Sequence, residues 1–218
     1  MTNVGKTSTD EHIRNEQNEN NGNSAAAANN DDENEDDDNN PINLSAWGLP
    51  ATVLAKYHSM GIRRLFQWQV DALRTGNALA GGNLVYSAPT SAGKTLVAEL
   101  LMLKRVLETK KKAVFILPYV AVSREKVVSL DAIYGEAGLK VGGFMGSYSH
   151  SPPGVFAAVD VAVCTIEKAN SLVNRLVEEK RTGEVACVVI DEMHMVMIFG
   201  LACLVMLKLT LWSMYDYY

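Results

Sequence analysis

The residues best suited to chemistry lie in two short segments of this 218-residue chain, residues 88–95 and residues 191–194. The first reads Ala-Pro-Thr-Ser-Ala-Gly-Lys-Thr, and the second reads Asp-Glu-Met-His directly after an apolar run. A glycine followed by a lysine and a hydroxyl residue, at the start of a helix, is typical of a loop that binds phosphate groups. Adjacent carboxylates at the end of a strand can hold a metal ion and activate water. Together the segments predict nucleotide binding and phosphoryl transfer.

The last three positions of this phosphate loop have expected roles. Gly93 permits close approach of the backbone, Lys94 reaches the β- and γ-phosphates, and Thr95 ligates Mg²⁺. The whole loop comprises Ala88, Pro89, Thr90, Ser91, Ala92, Gly93, Lys94 and Thr95. Ala88 stands where the general pattern has a leading glycine. A second Gly-Lys-Thr, at residues 5–7, has no strand before it and is interpreted as a chance occurrence.

The acidic segment divides its roles between neighbouring residues. Asp191 is expected to hold the magnesium ion, directly or through water, and Glu192 to position and activate the attacking water. An Asp-Glu pair after a strand is often only a solvated loop, so this interpretation depends on the phosphate loop in the same sheet. His194 has no His or Cys at a matching spacing, so it gives no metal-ligand signal.

The elements that must position these residues alternate between apolar runs and helical stretches. Strands are predicted at residues 84–88, 113–117, 139–144, 159–164 and 186–190. Helices are predicted at residues 49–60, 67–79, 94–108, from the proline at 118 to about 134, and 167–179. Near-continuous apolar strands separated by helices are typical of a parallel sheet covered on both faces. We therefore predict an α/β fold with both chemical segments at the carboxyl edge of its sheet.

The N-terminal part differs from this core in composition. Residues 1–40 hold eleven Asn and eleven acidic residues against only Lys6 and Arg14, a net charge of −9, so residues 41–218 carry +4. Such a polar run cannot bury enough apolar surface to fold, and a disordered acidic tail is predicted over residues 1–43. The acidic balance of the chain therefore does not exclude a nucleic-acid-binding core. The first thirty residues have no apolar run, so no secretory signal segment is expected, and three cysteines without a Cys-x-x-Cys pair favour a reducing compartment.

These motifs resemble the superfamily 2 helicases of the D-E-x-H type and, among them, helicase domains of the polymerase theta type. The resemblance covers residues 44–196. It also includes Phe-Ile-Leu-Pro at 115–118, Gly-Phe-Met-Gly-Ser at 143–147, Val-Cys-Thr-Ile-Glu-Lys-Ala-Asn at 163–170, and the segments 47–50 and 65–69. It implies the first RecA-like lobe of a P-loop NTPase, with ATP and Mg²⁺ as its ligands.

The resemblance also implies contacts for individual residues. Gln69 would read the adenine, although a polar residue on a helix surface is an equally good interpretation. Thr165 and Glu167, with the loop after Pro118, would face the phosphodiester backbone of a single strand. A threonine at a strand end is also a suitable helix N-cap. His194 would couple the nucleotide site to the strand.

For the intact family protein, the resemblance implies an ATP-driven DNA helicase that acts in double-strand-break repair in the nucleus. It also implies a second RecA-like lobe that supplies an arginine finger. An RNA helicase of the same superfamily would share every catalytic residue, so these residues do not distinguish DNA from RNA. Only the resemblance to the polymerase theta type favours single-stranded DNA. With one lobe, the chain is expected to turn over ATP weakly or not at all.

Residues 197–218 do not follow the family pattern. The thirteen apolar residues at 195–207 are too few to span a bilayer, which needs about twenty, so no membrane anchor is expected. A core helix that covers the last strand is one explanation of this segment, and a truncated or misspliced gene model is the favoured one. A real short product that binds ATP or single strands without turnover is the alternative.

Overall fold

The computed structural model describes residues 40–89, 91–146 and 153–193, which all belong to one unit, Asp37–Tyr218. The predicted acidic tail up to residue 39, Thr90, His194 and the segment 197–218 lie outside the described residues. The expectations stated for them therefore stay predictions. No helix in the described ranges is long and apolar enough to cross a membrane.

Parallel strands form a single sheet in the described part of the chain. They are β1 (Lys112–Leu117), β2 (Val141–Phe144), β3 (Val161–Thr165) and β4 (Val185–Ile190). Their order across the sheet is β2-β3-β1-β4, and every neighbouring pair is parallel. The carboxyl ends of all four strands therefore meet at one edge, as the sequence predicts.

Helices connect the strands and cover them. They are α1 (Ala51–Ser59), α2 (Gln67–Arg74), α3 (Lys94–Thr109), α4 (Val120–Tyr134), α5 (Pro153–Ala157) and α6 (Ile166–Glu178). Helix α3 begins directly after Gly93, which has a positive φ of 78°. Helix α2 ends earlier than residue 79, because Thr75 is extended and Gly76 takes a φ of 57°.

The sheet carries a packed core on each face. Successive strand residues point to opposite sides, so Phe115 and Leu117 of β1 join a cluster with residues of α1 to α4. Val114 and Ile116 instead pack with Phe156 of α5 and with apolar residues of α6. The predicted α/β architecture, with helices on both faces, is confirmed.

The strand predicted at residues 84–88 is wrong, because residues 82–89 form no regular secondary structure. Leu84 and Tyr86 pack against the core cluster, whereas Val85 is 78% exposed. The alternation that suggested a strand is therefore present, but no described residue provides a backbone partner. Strand β4, the edge strand of the described sheet, is only half-buried beyond Val185, unlike the buried β3. Among the described residues, side-chain packing and side-chain hydrogen bonds hold the segment that leads into the phosphate loop.

A nearly buried ion pair joins α3 to α4. Lys126 Nζ lies 2.8 Å from Glu99 Oε1, and their side chains are 18% and 9% exposed. The same ammonium group lies 5.8 Å from the centre of the Phe115 ring. Tyr134 Oη donates a hydrogen bond of 2.6 Å to the carbonyl oxygen of Glu99. These contacts fix the middle of α3 against α4.

Replacement of Lys126 is expected to destabilise the fold. Lys126→Ala should lower the free energy of unfolding by about 2–4 kcal/mol, because the Glu99 carboxylate remains largely buried without its cation. Lys104→Ala is the matched control, since the Lys104–Glu108 pair is 33% and 44% exposed. Lys104→Ala should lower the free energy of unfolding, measured by urea denaturation, by less than about 0.5 kcal/mol. Equal losses for the two variants would contradict the importance of the buried pair.

Candidate nucleotide-binding site

The phosphate loop turns sharply into α3. Ser91 and Gly93 take φ angles of 63° and 78°, and Ala92 N–H donates to the carbonyl oxygen of Pro89 at 3.2 Å. Backbone in which left-handed residues alternate with ordinary ones forms a concave group of N–H donors that binds anions. The positive end of the 16-residue helix α3 adds to this attraction. The loop therefore fits a phosphate group.

Lys94 supplies the cation of the loop. Its Nζ donates to the carbonyl oxygens of Ala88 and Pro89, each at 2.9 Å. Both acceptors belong to the loop itself, so the positive charge lies against the loop backbone. A lysine in this position can form charge-assisted hydrogen bonds to phosphate oxygens.

The two chemical segments meet at Thr95 and Asp191. Thr95 Oγ1 donates to Asp191 Oδ2 at 3.2 Å. The backbone N–H of Asp191 donates to the carbonyl oxygen of Ile116 at 3.1 Å, so pairing with β1 continues beyond β4. A hydroxyl and a carboxylate this close are oxygen ligands of the kind that Mg²⁺ takes together with phosphate oxygens and water.

A metal ion here would need further ligands from the nucleotide. Within the described ranges, no group of three or more His, Cys, Asp or Glu side chains could hold a metal ion by itself. The donor set of Thr95 and Asp191 fits an ion that takes its other ligands from phosphate groups and water, and Mg²⁺ binding stays a prediction.

Glu192 lies in a strained turn beside Asp191. Its φ is 56°, and its backbone N–H donates to Asp191 Oδ1 at 3.0 Å. A left-handed residue other than glycine costs about 1–3 kcal/mol, and such strain is concentrated at functional sites. The side chain of Glu192 is exposed. The turn thus leaves a solvated carboxylate next to the candidate metal ligand.

Gln69 is part of the phosphate-loop structure rather than a residue of the helix surface. It is only 2% exposed; its Oε1 accepts from Phe66 N–H at 2.8 Å, and its Nε2 donates to Gly93 O at 2.9 Å. The interpretation of Gln69 as a surface residue is therefore wrong. Each end of the amide retains one further hydrogen-bonding position, and its contact with adenine stays a prediction.

The residues expected to face a nucleic acid lie at the same edge of the sheet. Leu117 pairs with Thr165 across β1 and β3, which brings Pro118 close to the start of α6. Thr165 occupies the N-cap position of α6 but makes no side-chain cap hydrogen bond, and it is buried. Glu167 is exposed in the first turn of α6. Contacts of these residues with a strand stay predictions.

The sequence interpretation missed one residue of the site. Tyr86 Oη donates to the carbonyl oxygen of Lys94 at 2.7 Å, and its ring lies 6.2 Å from that of Trp68. Tyr86 is one of the inward-facing residues of the apolar run before the loop. That alternation shows which side of the run is buried, but it does not show the hydroxyl contact.

Comparisons with known proteins show similarity to helicases. The family model "DEAD/DEAH box helicase" matches residues 67–202. DNA polymerase theta of Mus musculus is 61% identical over 152 residues, which is 70% of this chain and 6% of that protein. Helicase POLQ-like of Homo sapiens is 41% identical over 152 residues, 69% of this chain and 14% of that protein. The ATP-dependent DNA helicase Hel308 of Thermococcus kodakarensis is 35% identical over 136 residues, 62% and 12% of the two chains.

The chain therefore spans only a small part of the length of these relatives.

Solved structures share its fold. A hypothetical ATP-dependent RNA helicase from Sulfolobus tokodaii has a TM-score of 0.58 at 19% identity, covering 74% of this chain and 47% of its own. The helicase MrfA bound to DNA and AMPPNP has a TM-score of 0.54 at 21% identity, covering 67% and 21%. These similarities confirm the predicted RecA-like helicase fold.

A methyl group at Gly93 is expected to disturb the loop. Its Cβ would lie 2.6 Å from Gln69 Nε2, at a φ of 78°. Gly93→Ala should lower the free energy of unfolding by about 1–3 kcal/mol. Ser91→Gly should change it by less than about 0.5 kcal/mol, because relief of left-handed strain offsets the added freedom of the unfolded chain. Urea denaturation of both variants measures these changes. An unchanged denaturation midpoint for Gly93→Ala would contradict the prediction.

Proposed function

The chain belongs to the DEAD/DEAH box helicase family, and from that premise we propose that it provides the ATP-binding lobe of a DNA helicase of the polymerase theta and Hel308 type. The observation that carries this proposal is the hydrogen bond of 3.2 Å between Thr95 and Asp191. It joins the phosphate loop to the acidic segment at one edge of the sheet. Ligands of parallel α/β folds bind at that edge.

The residues of the site then have distinct tasks. Lys94 and the N-terminus of α3 bind the β- and γ-phosphates of ATP. Thr95 and Asp191 hold Mg²⁺, which neutralises charge that develops on the phosphates. Glu192 orients the attacking water and accepts its proton. Gln69, already attached to the loop through Gly93, contacts the adenine.

Single-stranded DNA is the proposed partner of the carboxyl ends of β1 and β3. Two printed names support this choice: Hel308 is called an ATP-dependent DNA helicase, and the MrfA structure holds DNA together with AMPPNP. Pro118, Thr165 and Glu167 lie at the carboxyl edge of the sheet, which supports a strand path along this edge. Contacts from loops to the phosphodiester backbone position a strand without reading its bases.

A second RecA-like lobe completes the proposed enzyme. The transition state of phosphoryl transfer carries charge on the γ-phosphate, and an arginine finger that stabilises it contributes about 10³–10⁵ in rate. We assign that arginine to the second lobe of the full-length protein. Nuclear localisation and a role in double-strand-break repair belong to the same proposal and rest on the resemblance to the polymerase theta type.

Removal of the Lys94 ammonium is expected to weaken nucleotide binding. Lys94→Ala should lower the affinity for Mg²⁺–AMPPNP by about 10- to 100-fold, because charge-assisted hydrogen bonds to the phosphates are lost. Lys104→Ala, which removes the same charge from an exposed position of α3, should leave the affinity unchanged. Isothermal titration calorimetry measures both. Failure of the unaltered chain to bind the analogue would contradict the assignment of the phosphate loop.

ATP turnover tests the need for a second lobe. The 218-residue chain should bind single-stranded DNA but hydrolyse ATP slowly, with little stimulation by the strand. A phosphate-release assay with and without DNA measures this, with Glu192→Gln as the control for residual turnover by the site. Robust DNA-stimulated ATP hydrolysis by this chain would contradict the proposed role of the second lobe. Stronger competition by RNA than by DNA of equal length would favour an RNA helicase instead.

A further inference from the structure

The phosphate loop needs an anchor on its N-terminal side. In an ordinary parallel sheet, backbone pairing of the preceding strand would hold it. Residues 82–89 have no regular secondary structure here, and Val85 and Ser87 are exposed. Within the described residues, contacts other than a strand ladder therefore fix the point where the chain enters the loop.

Tyr86 makes the contacts that can provide this anchor. Its Oη donates to the carbonyl oxygen of Lys94 at 2.7 Å. Its ring, half-buried, lies 6.2 Å from the ring of Trp68 on α2. Burial raises the pKa of Tyr86 to about 12, and the charge of Asp191 acts in the same direction. The hydroxyl therefore remains a hydrogen-bond donor throughout the physiological pH range.

The first two carbonyl groups at the start of α3 are thus both held by side chains. Gln69 Nε2 binds the carbonyl oxygen of Gly93 at 2.9 Å, and Tyr86 binds that of Lys94. Gln69 belongs to α2, and Tyr86 reaches the same helix through the neighbouring Trp68. The two contacts hold the N-terminus of α3 on the side that faces α2. The unpaired N–H groups available for a phosphate begin at this N-terminus.

We propose that Tyr86 is a positioning residue of the phosphate loop, whose hydroxyl sets the place of the α3 N-terminus relative to the bound phosphates. This inference rests on the proposed function. The contact acts on the backbone of Lys94 and involves no residue that is assigned to adenine or to the metal ion. Its loss should therefore weaken the binding of any polyphosphate by a similar factor.

Tyr86→Phe tests the hydroxyl while it keeps the ring against Trp68. The affinity of the full 218-residue chain for Mg²⁺–AMPPNP should fall about three- to tenfold, the worth of one neutral hydrogen bond. The affinity for Mg²⁺–tripolyphosphate, which has no base, should fall by the same factor. Isothermal titration calorimetry with the two probes measures both, and differential scanning fluorimetry reports the melting temperature.

Tyr134→Phe is the matched control. Its hydroxyl also donates to a backbone carbonyl of α3, that of Glu99 at 2.6 Å, but it is completely buried and lies away from the loop. This variant should lower the melting temperature more than Tyr86→Phe and leave both affinities unchanged. Only a residue that positions the loop would combine a small loss of stability with a clear loss of affinity.

The outcomes separate this inference from the function on which it rests. Binding by the unaltered chain with unchanged affinities in Tyr86→Phe would overturn the role of Tyr86 alone. Equal losses of affinity in the two tyrosine variants would overturn it as well, because they would reflect general stability. No binding of either probe by the unaltered chain would overturn both the proposed function and this inference.

Discussion

The backbone hydrogen bond from Asp191 N–H to the carbonyl oxygen of Ile116, 3.1 Å long, determines where the acidic segment lies. It extends the parallel pairing of β1 with β4 one residue past the strand and so carries Asp191 to the carboxyl edge of the sheet. Thr95 can then reach the carboxylate from the first turn of α3. The chemistry of the site therefore depends on strand register, which places two distant segments within hydrogen-bonding distance.

The sequence predicts those parts of the fold that composition alone decides. Strand β1 and its neighbour β3 are buried on both faces, so their residues are almost all apolar, and the runs are recognisable without knowledge of their partners. Residues 84–88 have a similar pattern, yet a strand also needs a neighbour with free backbone groups. No described segment offers one. Pairing is a property of the assembled sheet, which a local pattern cannot report.

The same distinction separates the predicted site residues from the contacts that hold them. Lys94, Thr95 and Asp191 are recognisable because their chemistry demands particular side chains at particular spacings. The bonds from Gln69 to Gly93 and from Tyr86 to Lys94 depend on how α2 packs beside the loop, and many polar or aromatic residues precede loops without such contacts. The tertiary fold therefore supplies the support of this site, whereas the sequence identifies the groups that act.

Helix α3 also connects the nucleotide site to α4. Its first turn carries Lys94 and Thr95, and farther along Glu99 pairs with Lys126 of α4, the helix that follows Pro118. That pair is nearly buried, so a movement that separated α3 from α4 would leave a largely buried charge without its partner. A motor of the proposed kind must change shape as its nucleotide is consumed. In the proposed function, the lobe with α3 and α4 moves as one body relative to the proposed second lobe.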